Sequence, residues 1–120
     1  MDYNNELLKD LEKLIEIPSV LNNDNSDYPF GKAIDDSLKE MLDIAKKLGF
    51  KTFYNKYYGY AEIGSGDEII GVLGHLDVVP AGDLENWDTD PFKLTQKGNK
   101  LYGRGTQDDK GPTLAALYGV

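Results

Sequence analysis

The sequence has 120 residues, 40% of them hydrophobic and 28% charged, which suits a single soluble folded domain and leaves no room for a second. Its 13 basic and 21 acidic residues give a formal net charge of −8, which disfavours a nucleic-acid backbone or an anionic membrane as a partner. With no cysteine, disulfides, thiolate ligands and a cysteine nucleophile are excluded, so a transition-metal site here must draw on His, Asp and Glu. No apolar run approaches the roughly 20 residues that span a bilayer, and the polar start Met1-Asp2-Tyr3-Asn4-Asn5-Glu6 is unlike a signal peptide, so a cytoplasmic protein is expected.

Leu7, Leu8, Leu11, Leu14 and Ile15 recur at helical spacing, with Asn4 or Asn5 available as N-cap and Pro18 closing the segment. Asn22-Asn23-Asp24-Asn25-Ser26-Asp27 reads as a polar loop. A second helix carries Ile34, Leu38, Met41, Leu42, Ala45 and Leu48 on one stripe, with lysines in its last turn and Gly49 at its C-terminal end. The pattern then changes to β-forming residues in Lys51-Thr52-Phe53-Tyr54, Tyr60-Ala61-Glu62-Ile63 and Ile69-Ile70-Gly71-Val72-Leu73. The last of these is apolar almost throughout and is expected to be a central strand buried on both faces. Helices ahead of such a strand imply an α/β fold, a mixed sheet flanked by helices.

A long stretch from Pro80 to Pro91 holds Trp87, whose simplest role is to anchor its own loop. Phe92-Lys93-Leu94-Thr95 and Lys100-Leu101-Tyr102 suggest a hairpin turning at Gly98-Asn99. A final helix starts with Pro112 near its first position, and the sequence stops inside it at Val120 without a cap, so residues 1–120 are expected to be part of one domain truncated at its C-terminal end, without a second domain.

The chemistry concentrates in two segments. Gly74-His75-Leu76-Asp77-Val78-Val79-Pro80 carries the only histidine two residues from a carboxylate, and side chains at i and i+2 of an extended segment share a face. Gly103-Arg104-Gly105-Thr106-Gln107-Asp108-Asp109-Lys110-Gly111 places two acids in a glycine-punctuated loop. His75 can ligate a metal, Asp77 can fix its tautomer, and Asp108 or Asp109 can add a carboxylate that binds one metal or bridges two. Taken singly, the same residues more often fill bland roles: a hydrogen-bonding histidine, a turn, a helix N-terminal charge. Gly103 and Gly105 complete no phosphate-binding pattern.

Together, GHLDVVPAGDLENWDTDPF and LYGRGTQDDKGPTLAALYG resemble the co-catalytic zinc peptidase family of aminoacylases, glutamate carboxypeptidases, desuccinylases and dipeptidases. The form TQDDKGPT is most similar to the dipeptidase V branch, also called Xaa-His dipeptidase or carnosinase-like. The resemblance implies the N-terminal part of a zinc-exopeptidase-like catalytic domain that hydrolyses a dipeptide amide with a metal-activated water. It also implies that His75 ligates one Zn²⁺, Asp108 bridges two, and Asp77 holds His75 and assists acid/base catalysis. A cis peptide between Asp108 and Asp109 is implied as well.

The family's general-base glutamate, its neighbouring ligand glutamate, a further acidic ligand and a late histidine follow the DDKG loop and have no counterpart before Val120. The 120-residue chain is therefore expected to be inactive alone, to bind at most one metal weakly, and to lack the rest of its catalytic domain. Two other readings stand beside this one: an N-acyl amino acid deacylase or desuccinylase, and a non-catalytic α/β interaction module.

Overall fold

Helical spacing of apolar residues builds α1 (Tyr3–Glu16), which buries Leu11, Leu14 and Ile15. In this computed structural model, which describes residues 3–23 and 27–120, α1 already includes Asn4 and Asn5, so neither is its cap. Residues 24–26 of the expected polar loop lie outside the described residues. The second helix, α2 (Lys32–Lys47), buries Met41, Leu42, Ile44 and Ala45. Gly49 follows it at φ +98°, a conformation that glycine adopts freely, and the chain closes the helix there with Phe50 N–H donating to the Ala45 carbonyl.

An antiparallel hairpin of β1 (Lys51–Tyr54) and β2 (Gly59–Glu62) lies against α2, with Phe53 opposite Tyr60. A Cβ at Gly59 would press against Leu38 and Leu42 of α2, 3.0 Å from each, and the Tyr54 hydroxyl donates to Asp35 of the same helix. A second hairpin pairs β3 (Thr95–Lys97) with β4 (Lys100–Tyr102) and turns at Gly98-Asn99, as the sequence indicates. Its first strand begins later than Phe92 because Asp90 organises a turn there, accepting the Phe92 N–H on its side chain and the Lys93 N–H on its carbonyl. The last helix, α3 (Lys110–Gly119), starts two residues ahead of Pro112.

The three helices share one core: Leu11, Leu14 and Ile15 of α1, Met41 and Ile44 of α2, and Leu114 of α3. Both helices and sheets are present, so the chain is α/β, with each sheet a two-stranded antiparallel pair. The expectation of a buried central strand is overturned. Residues 69–73 are not a buried strand: Ile69, Ile70 and Leu73 are 92%, 95% and 99% exposed, and no strand lies beside them among the described residues. Apolar composition supplies the tendency, but a strand forms only where neighbouring backbones take up its N–H and C=O groups. The radius of gyration, 15.0 Å, exceeds the roughly 14 Å of a compact domain this long, in keeping with that extended, uncovered segment. No helix of the described residues is long and apolar enough to cross a membrane.

Candidate metal centre

Both chemistry-bearing segments hang on the C-terminal end of α1. Ser19, fully buried, donates its hydroxyl to the Leu76 carbonyl at 2.7 Å and accepts the Val78 N–H on its own carbonyl at 2.9 Å. Those bonds fix the 76–78 backbone just beyond His75. Lys110 is also fully buried, and its Nζ donates to the carbonyls of Leu14 at 2.6 Å and Ile17 at 2.7 Å. Burial lowers the Lys110 ammonium from 10.5 to about 8. The glycines of the second segment give it the room to fold back on itself. A Cβ on Gly111 would sit 2.0 Å from the Thr106 carbonyl oxygen, and Gly105 adopts φ +102° between Lys110 and Val78. Trp87 anchors its own loop as expected, donating Nε1–H to the Ala81 carbonyl at 2.9 Å, while Arg104 lies over its ring, 5.1 Å from the centroid.

These supports bring His75, Asp77 and Asp108 together. The His75 Nδ1 lies 3.1 Å from Asp77 Oδ1 and 3.3 Å from the Asp77 carbonyl oxygen. Both neighbours are acceptors, so Nδ1 carries the hydrogen. The other ring nitrogen, Nε2, is 2.9 Å from Asp108 Oδ1. In a neutral ring with its hydrogen on Nδ1, Nε2 presents a lone pair to a carboxylate, and two acceptors that close need a proton or a cation between them. Partial burial acts to lower the His75 pKa, and the carboxylates of Asp77, Asp109 and Asp108 outweigh it and raise the imidazole above its usual value, which favours a proton in that place. A metal would compete for the same position. The imidazole nitrogen with a carboxylate on its far nitrogen, together with a free carboxylate oxygen, fits part of a zinc donor set. The fit is partial: among the described residues no group of three or more His, Cys, Asp or Glu side chains is placed to hold a metal ion.

The two adjacent acids do different things. The Asp108 side chain is 84% exposed and faces His75, and the peptide between Asp108 and Asp109 is cis, as the motif implies. Asp109 turns inward, where its Oδ2 accepts the backbone N–H of His75 at 3.1 Å and the hydroxyl of Thr113 at 2.8 Å. Those two bonds hold the Asp109 carboxyl below its usual value. The sequence announces a pair of acids, but nothing in it separates the one facing outward from the one that ties two segments together. The role of the buried Ser19 was equally out of sight, because its hydroxyl partner, Leu76, lies 57 residues away.

Residues 71–120, which span all three residues, match the family model described as Peptidase family M20/M25/M40. The match is to a peptidase family, and the relatives that the chain resembles along its length are dipeptidases or putative dipeptidases. It is 47% identical over 118 residues to a Beta-Ala-Xaa dipeptidase of Lactobacillus delbrueckii subsp. lactis, an alignment covering 95% of this chain and 25% of that protein. Human carnosine dipeptidase 1 has a similar structure, with TM-score 0.72 and 30% identity over 97% of this chain and 27% of the other. The di-peptidase Dug1p of Saccharomyces cerevisiae superposes with TM-score 0.75 and 27% identity, over 95% of this chain and 27% of its own. The chain therefore spans about a quarter of the length of the relatives it matches.

Proposed function

We propose that residues 1–120 are one part of the catalytic domain of a zinc-dependent dipeptidase, in which His75 and Asp108 are metal ligands and Asp77 orients His75. The observation that carries this reading is the 2.9 Å approach of His75 Nε2 to Asp108 Oδ1 with Nδ1 committed to Asp77, inside the stretch that matches the peptidase family. A zinc ion held there supplies Lewis-acid activation of a water and of an amide carbonyl. This chain's own contribution is to aim the donors. Asp77 keeps the His75 hydrogen on Nδ1 and so leaves Nε2 free to bind, and the exposed Asp108 carboxylate offers oxygen for one ion or for a bridge between two. Two donors fill half of a four-coordinate zinc shell, so the remaining ligands and the general base come from outside these 120 residues. The substrate is a dipeptide, by likeness to the Beta-Ala-Xaa and carnosine dipeptidases.

A chimera tests this. Replacing the matching quarter of the Lactobacillus Beta-Ala-Xaa dipeptidase with this chain should preserve Zn²⁺-dependent cleavage of β-alanyl-histidine. Chelation, His75→Ala or Asp108→Ala should abolish it, whereas the isolated 120-residue chain should show no turnover. An active His75→Ala or Asp108→Ala chimera, or turnover by the isolated chain, would refute the assignment.

A further inference from the structure

The two proposed ligands sit on separate exposed segments, and the structure shows what sets the distance between them. We infer that Asp109 is the positioning residue of this centre, holding the His75 backbone against α3 so that His75 Nε2 meets Asp108 Oδ1. The inference rests on the functional reading above only in calling those two atoms ligands.

Asp109 stands at the N-cap position of α3, where an aspartate normally accepts a backbone N–H from the first turn of its own helix, yet its side chain makes no capping bond. The carboxylate is spent on His75 instead, a residue from a different segment. Asp109 is in turn steadied by Thr113, which donates its hydroxyl to Asp109 Oδ2 and its backbone N–H to the Asp109 carbonyl at 2.9 Å. Thr113 belongs to a helix fixed in the core by the fully buried Leu114. On the other side of the joint Gly74 completes the fit, because a Cβ there would lie 2.4 Å from Thr113 Oγ1 and 2.9 Å from its Cγ2. The path from the core to the metal-facing atoms is continuous: Leu114, Thr113, Asp109, the His75 N–H and the His75 ring. Tethers at Leu76 and Val78 hold the segment beyond His75, but ahead of it residues 69–73 are uncovered. The Asp109 bond is what stops His75 from swinging with them.

The test uses the 120-residue chain with three substitutions and two readouts: the amide signal and hydrogen exchange of His75 by ¹⁵N NMR without metal, and the shift of the His75 ring on titration with Zn²⁺ alone. Asp109→Asn keeps an acceptor oxygen for both donors while removing the charge, and Asp109→Ala removes both. Asp109→Ala should collapse the downfield shift and exchange protection of the His75 amide and weaken Zn²⁺ binding about tenfold, the usual effect of losing a group that orients a ligand. Asp109→Asn should restore most of both. Equal losses in the two variants would show that only the charge matters and would overturn the inference. Gly74→Ala leaves every charge and Asp109 itself in place but pushes on Thr113, so it serves if Asp109→Ala does not fold. It should reproduce the loss of His75 protection, and wild-type values there would also overturn the inference. If the unmodified chain binds no Zn²⁺, the metal reading fails on its own, and the metal-free His75 signals in the three variants still decide the role of Asp109.

Discussion

Replacing Lys110 with methionine sets two large effects against each other. Methionine keeps an unbranched apolar stem of similar reach and removes only the donor, so Leu14 and Ile17 lose the bonds they accept from Nζ. Each charge-assisted bond is worth about 1.5–3 kcal/mol net, and the low end applies because both carbonyls keep another partner, Ile17 N–H for Leu14 and Ser19 N–H for Ile17. Against roughly 3 kcal/mol for the pair stands the cost of enclosing an ammonium, which lowers Lys110 to about 8 and is already part of that net figure in ordinary sites. The complete enclosure of Lys110 takes back something like a third of the gain, which leaves a loss of about 2 kcal/mol for Lys110→Met. Urea unfolding of the 120-residue chain at pH 7, followed by circular dichroism, should show the midpoint falling by about 1 M for a slope near 2 kcal/mol per molar. Lys110→Ala should lose more, since it also empties the space beside Gly105 that the lysine stem fills. A Lys110→Met chain as stable as the wild type, or more so, would refute the reasoning. It would mean that desolvation outweighs the two bonds and that the second loop is held at α1 by something else.

Other substitutions probe the same framework. Leu114→Ala, at a fully buried position where all three helices meet, should cost about 3 kcal/mol in the same urea assay. Gly111→Ala should destabilise by more than about 2 kcal/mol because its Cβ meets the Thr106 backbone, whereas Gly119→Ala, with open space around it, should be neutral or slightly stabilising by its helix propensity. The Tyr118 hydroxyl donates to Asp10 at 2.5 Å, and burial first, then that bond, raises its pKa. A raised phenol favours the fold fully below its ordinary pKa near 10. Stability should therefore fall as pH rises beyond 10, and Tyr118→Phe should lower stability at pH 8 while flattening that alkaline decline, measured by urea midpoints between pH 8 and 11.

The features that short-range physics controls were legible in the sequence. Helical spacing located α1 and α2, glycine marked the end of α2 and the turn of the second hairpin, and the i, i+2 spacing put His75 and Asp77 on one face, where Nδ1 and the carboxylate meet at 3.1 Å. The supports of the site were not legible, because each joins residues far apart in sequence through ordinary groups. A serine hydroxyl on a carbonyl, a lysine on two helix-end carbonyls and an aspartate on a backbone N–H leave no pattern in composition or spacing.

Residues 69–73 expose the limit most clearly. Ile69, Ile70 and Val72 are β-branched and Leu73 is apolar, the character of a buried strand, and such a segment left open to water is a template for pairing. What a sequence encodes there is a demand for neighbours, not the neighbours themselves. Since the segment runs directly into Gly74 and His75, whatever covers it also bears on the His75 ring. That is why the joint at Asp109 matters: it fixes His75 from the α3 side through two hydrogen bonds to a core-anchored helix, independently of how the preceding five residues are paired. His75→Ala would leave that joint intact, because it uses the backbone N–H. Asp109→Ala would leave the imidazole intact but free to move. A chain in which the two substitutions have the same effect on the amide signal at position 75 would show that the ring, not the backbone bond, holds the segment in place.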